Sequence, residues 1–68
     1  MADHVYKTVE ITGSSPDSVD DAIRGAIAKA TETLRHVDWF EVTQIRGAVL
    51  EDQIAHFQVT MKIGFRLE

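Results

Sequence analysis

The chain of 68 residues contains no cysteine, so no disulfide and no thiolate zinc site can hold it together. Its three histidines, His4, His36 and His56, are scattered without ligand spacing. Basic residues are in deficit, with 7 Lys and Arg against 11 Asp and Glu and a net charge of −4. That balance argues against nucleic acid, whose phosphates are bound by clustered Lys and Arg. No stretch approaches the roughly 18 apolar residues of a membrane span. Met1–Lys7 lacks the apolar run of a signal peptide, so no membrane partner and a cytoplasmic location are the expectations. Linkers, repeats and low-complexity segments are also missing, which leaves one domain over 1–68.

A domain this short buries a small share of its unfolded surface. Ordering it costs roughly 100 kcal/mol at about 1.5 kcal/mol per residue, and small scaffolds meet that with disulfides, metals or oligomerisation. With the first two removed, self-association is the expected staple.

What is present is strongly patterned. Val5, Val9 and Ile11 recur at even spacing with Tyr6, Thr8 and Glu10 between them, which predicts a strand over 5–11. Thr12-Gly13-Ser14 reads as a turn, Ser15 as a helix N-cap and Pro16 as the first helical residue. Val19, Ala22, Ile23, Ala26, Ile27, Ala30 and Leu34 form one apolar helix face, predicting a helix over about 16–35. Its alanines and Gly25 suggest close approach to a sheet, and His36 is expected beside the last carbonyls, favoured by the helix dipole.

Asp38 to about Leu50 is rich in aromatic and β-branched residues and reads as a second strand, with a bulge or bend at Gly47. Glu51-Asp52-Gln53 is a hairpin turn. From Ala55 onwards Phe57, Val59, Met61, Ile63, Phe65 and Leu67 alternate with polar residues and Gly64, the clearest period of two in the chain. The order β-α-β-β predicts an α+β fold in which a three-stranded, antiparallel sheet is covered on one face by a single helix. The other face is left open, carrying His56, Gln58, Thr60, Lys62, Arg66 and one side of the Trp39 strand, for other subunits to meet.

Catalysis has little to work with. Ser14, Ser15 and Ser18 suit capping, and Asp17, Asp20 and Asp21 suit the solvated start of a helix. Glu10 and Glu41 would pair only if their strands adjoin. Trp39, the one tryptophan, is either a core aromatic or a platform. If Phe40 and Val42 face the helix, Trp39 faces the open side and suits a planar ligand or a partner subunit. Gln58 interrupts an apolar run and can donate and accept at the edge of a heterocycle, or simply face solvent. Arg46 and Arg66 have the planar forks that bind phosphate, or are solvated.

Taken together, Asp38-Trp39-Phe40-Glu41-Val42, Ile45-Arg46-Gly47 and Phe57 to Leu67 resemble the dodecins, small flavin-binding proteins; Tyr6-Lys7 and Thr12 to Ser15 extend the likeness over nearly the whole chain. The resemblance implies a hollow homododecamer of 23 symmetry. It implies that FMN or riboflavin, with FAD as a further candidate, is sandwiched by Trp39 and held at its pyrimidine edge by Gln58. Arg46 and Arg66 match positions at the ligand entrance and flavin phosphate, and in some members at coenzyme A. Arg46 makes the chain similar to bacterial-type members. The implied role is flavin storage and quenching without turnover; the alternative is a self-assembling structural module that binds no ligand.

Overall fold

The computed structural model describes residues 3–67 and has the element order β1 (Val5–Ser15), α1 (Val19–Ala30), β2 (Val37–Leu50) and β3 (Gln53–Leu67). The three strands form one sheet in the order β1-β3-β2, and both pairings are antiparallel. The predicted α+β architecture is therefore the observed one. Central β3 has the strictest alternation because it alone has neighbours on both edges. Val59, Met61 and Ile63 on one side of its pleat are fully buried and join Ala22 and Ala26 of α1 in the core. Val9, Ile11, Val19, Ile23, Ile27, Leu34, Val37 and Val42 pack around them.

The first strand runs four residues further than its alternation predicts. Thr12, Gly13, Ser14 and Ser15 continue in register with Thr60, Val59, Gln58 and Phe57, and the Thr12 and Thr60 hydroxyls lie 2.9 Å apart. Cross-strand partners thus satisfy what looked like turn residues. Gly13 is where the helix comes closest: a Cβ there would sit 2.8 Å from Ala26 Cβ and closer still to the Ala22 carbonyl oxygen. Gly25, by contrast, faces open space and has no packing role in this chain.

The helix is shorter than predicted at both ends. Ser18, not Ser15, is the N-cap, its Oγ accepting from the Asp21 N–H at 3.0 Å. Ser15 is buried one turn earlier, accepting from the Asp17 and Ser18 N–H groups and donating to Asp21 Oδ2 at 2.7 Å. Pro16 therefore belongs to the connection rather than the first turn. Thr31 is the C-cap, and residues 31–36 form a link in which only Leu34 keeps the helical spacing against the core. His36 closes that link with φ 61°, and its carbonyl accepts from the Arg66 N–H at 3.0 Å. It is a strand-entry residue rather than a helix terminator.

The β2–β3 hairpin turns at Glu51 and Asp52, both with positive φ (52° and 66°), the mirror-image turn that matches strand twist. Gly47 pairs regularly with Phe57; the irregularities fall instead at Val37/Trp39, Val42/Gln44 and Ala48/Val49. Because β1 ends opposite Phe57, the hairpin projects beyond the helix-covered part of a molecule 56 Å long and only 20 by 14 Å across. Its apolar residues Ile45, Val49, Leu50 and Ile54 are 58–72% exposed.

Candidate functional site

The uncovered face of the sheet collects Gln58, Thr60, Lys62, Gly64 and Arg66 from β3, because the opposite pleat positions are committed to the core. β1 adds Tyr6, Thr8, Glu10, Thr12 and Ser14, and β2 adds Trp39, Glu41, Gln44 and Arg46, all by cross-strand pairing. Trp39 arrives there through a bulge: Val37 pairs with Phe65 but Trp39 with Gly64, so Asp38 is the extra residue that shifts the alternation. Phe40 and Val42 then oppose Ile63 and Met61 on the helix side. The open-side orientation of Trp39 is the one required of a platform.

The indole lies against the backbone of Gly64. A Cβ at that position would fall within 3 Å of the indole Cδ2, Cε2 and Cζ2 atoms, so the ring occupies the space that any side chain would need. The Tyr6 ring meets it edge-on, with centroids 5.0 Å apart and planes at 62°. Backed by Gly64 and flanked by Tyr6, Trp39 is 40% exposed, a geometry that leaves indole surface free for stacking. Neither Gly64 nor Tyr6 stood out as a site residue from spacing alone. A glycine inside a strand is nevertheless a signal of close approach, and Tyr6 shares the strand face that looks outward.

A second cluster lies further along the same face. Arg46 Nε donates to Gln58 Oε1 at 2.8 Å, and Gln58 Nε2 lies 3.3 Å from His56 Nε2. Gln58 and His56 are half-buried while Arg46 is exposed. Gln58 stands opposite Arg46 on one side and Ser14 on the other.

The four residues singled out from the sequence therefore fall into two groups. Arg66 pairs with Tyr6 at the Trp39 end, whereas Arg46 and Gln58 occupy the other end. From Gly64 to Gln58 is six residues of extended strand, roughly 20 Å at about 3.3 Å per residue. One fused heterocycle cannot touch both Trp39 and Gln58 of the same protomer.

The remaining candidates have no catalytic arrangement. Glu10 and Glu41 stand on opposite sides of Lys62, roughly 10 Å apart across two strand spacings, rather than as a carboxylate pair. Among the described residues no cluster of His, Asp or Glu could hold a metal ion, and no helix is long and apolar enough to cross a membrane. A hollow on the helix side is lined by Ile23, Ile27 and Phe40 together with Arg24 and Asp20. There Arg24 Nε donates to Asp20 Oδ2 at 2.8 Å, and that bond, followed by the charge attraction, raises the guanidinium pKa.

Comparison with known proteins agrees in sequence and fold. The dodecin of Thermus thermophilus is 50% identical over 64 residues, covering 94% of this chain and 93% of its own. The structure of dodecin from Streptomyces coelicolor superposes with a TM-score of 0.94 at 54% identity, over 100% of this chain and 97% of the other. Dodecin from Streptomyces davaonensis gives 0.93 at 52%, over 98% of each. The dodecin family model matches residues 5–68. With the fold, the open face and the full-length match in agreement, the chain belongs to the dodecins, a family of small flavin-binding proteins.

Proposed function

We propose that this chain is a flavin storage protein, not an enzyme, which stacks FMN or riboflavin on Trp39 at interfaces between copies in a homododecamer of 23 symmetry. The observation that carries the reading is the indole itself: an exposed aromatic plane, backed by Gly64, on a sheet face that no other element covers. The roughly 20 Å between Trp39 and Gln58 supports a shared site, in which one copy supplies the indole and a neighbour the amide. The exposed hairpin residues Ile45, Val49, Leu50 and Ile54 supply apolar surface for such an assembly.

In that arrangement Gln58 offers an acceptor and a donor to the pyrimidine edge of the ring. Arg46 and Arg66, with always-charged planar forks, suit the phosphate of FMN, the diphosphate of FAD or that of coenzyme A as a second ligand. An excited flavin accepts an electron from the stacked indole and returns it, so excitation is lost without net chemistry. Free flavin is thereby buffered and its photochemistry suppressed.

The test is titration of riboflavin and of FMN with ligand-free protein, followed by flavin fluorescence, with the particle mass measured by light scattering. Quenching that saturates near one flavin per chain on a particle of twelve chains is the expected result. A flavin that stays bright beside an intact particle would leave a purely structural module.

A further inference from the structure

The amide of Gln58 is held from both ends, and the two ends differ in what they demand. The Arg46 guanidinium carries only donors and keeps its charge throughout the physiological range, so its 2.8 Å contact fixes Oε1 of Gln58 on that side. Nε2 must then face His56, whose Nε2 lies 3.3 Å away. An amide N–H can donate there only to an unprotonated ring nitrogen, which requires neutral imidazole with its proton on Nδ1.

We propose that His56 is a positioning residue for ligand recognition by Gln58, and that its protonation releases the amide and weakens binding. Protonated imidazole places a donor against the donor of Gln58. Flipping the amide restores that contact but sets its NH₂ group against Arg46 Nε–H, so no orientation satisfies both neighbours. With His56 neutral, one lone pair of Oε1 and one N–H of Nε2 remain as an acceptor and donor in fixed order. That order selects which carbonyl of an imide edge is paired, and so where the ring lies over the indole. The inference rests on the flavin reading above only for the identity of the ligand.

The surroundings of His56 leave it free to act in this way. Ala48 of β2 stands opposite it, Arg46 is the charged residue diagonal to it, and β1 ends at Ser15 opposite Phe57. Further titratable groups toward this end are Asp17 in the loop after β1, Asp21 of α1, whose Oδ2 accepts from the Ser15 hydroxyl, and Glu51 and Asp52 in the hairpin turn. Among the described residues no ion pair joins His56 to a carboxylate, and α1 lies on the opposite face of the sheet. Histidine is the side chain that ordinarily changes charge between about pH 5 and 8.

Riboflavin, which has no phosphate to titrate, is the probe. Its Kd is measured by fluorescence at about pH 7.5 and about pH 5 for the wild type and His56→Gln, at pH values where light scattering shows unchanged particle mass. Glutamine accepts through its own Oε1 and cannot be protonated in this range. The expected result is a Kd roughly tenfold higher at the lower pH for the wild type, and no such dependence for His56→Gln, whatever its absolute affinity. Equal acid weakening in both proteins, or none in the wild type, overturns the proposal. A ligand-free readout separates it from the flavin reading. The chain has three glutamines, so in glutamine-labelled protein the Gln58 side-chain NH₂ resonances can be followed against pH. If riboflavin fails to bind at either pH the flavin reading falls, and these resonances decide: movement in the wild type but not in His56→Gln upholds the amide device, and static resonances overturn it.

Discussion

Gly64→Ala tests whether the indole platform is set by the strand beneath it. Carbon atoms in good contact keep about 3.5–4.0 Å apart, and the new Cβ would lie within 3 Å of three indole carbons. The ring must rise by roughly 1 Å or swing aside, since Gly64 is in the central strand and its backbone is paired on both edges. A gap of 0.5–1 Å forfeits about a quarter to a half of a dispersion contact, and stacking one ring on an aromatic side chain is worth about 1–3 kcal/mol. The expected loss is about 0.25–1.5 kcal/mol, or roughly 1.5- to 13-fold in the Kd for riboflavin. Trp39 is the only tryptophan, so intrinsic emission of the ligand-free protein reports its displacement directly. Unchanged particle mass by light scattering separates this effect from failed assembly. A variant with wild-type affinity and wild-type emission would refute the idea that Gly64 places the ring.

Four further substitutions bear on the platform and the scaffold. Trp39→Ala is expected to abolish flavin quenching while sparing the oligomer, because Trp39 lies outside the helix-side core; loss of particle mass would instead make it chiefly an interface residue. Gly13→Ala should destabilise by about 1–3 kcal/mol through overpacking against Ala22 and Ala26, read as a lower thermal midpoint. Gly25→Ala should do the reverse, gaining about 1 kcal/mol of helix propensity at an open position; a lower midpoint would mean that another copy packs there. Asp52→Gly relieves a positive φ of 66° and should stabilise the fold by about 0.5–1 kcal/mol, read as a higher denaturation midpoint, with no change expected in riboflavin affinity.

Much of the fold was legible because β3 is central and half-buried, so its period of two could hardly be read as anything else. Element ends were legible only where a local rule acts alone. Ser15, followed by Pro16, has the stronger claim as cap in the sequence, and what overturns it is that β1 continues to Ser15, whose hydroxyl donates to Asp21 while Ser18 caps the helix. Gly13 and Gly25 look alike as letters, yet one touches α1 and the other touches nothing. That difference depends on which strand the helix leans over, a tertiary fact. The open-side position of Trp39 followed from the opposed orientation of Phe40, but the bulge at Asp38 that enforces it leaves no compositional mark.

The candidate site was legible as a set of residues and not as a place. Trp39 and Gln58 share a sheet face, yet pairing of Trp39 with Gly64 puts six residues of extended strand between them. Strand geometry is nearly inextensible, so no side-chain rotation closes roughly 20 Å. A ligand that needs both groups must therefore be held between copies. The same slender form exposes Ile45, Val49, Leu50 and Ile54 and leaves only five residues in the apolar core among those described. A monomer would keep those apolar side chains in water at about 25 cal/mol per Å² of surface left uncovered. Assembly would thus do two things at once: cover the hairpin and bring one protomer's indole to another's amide. A variant that remained monomeric should then lose flavin quenching even with Trp39 and Gln58 intact, and a monomer that still quenched would place the whole site within one chain.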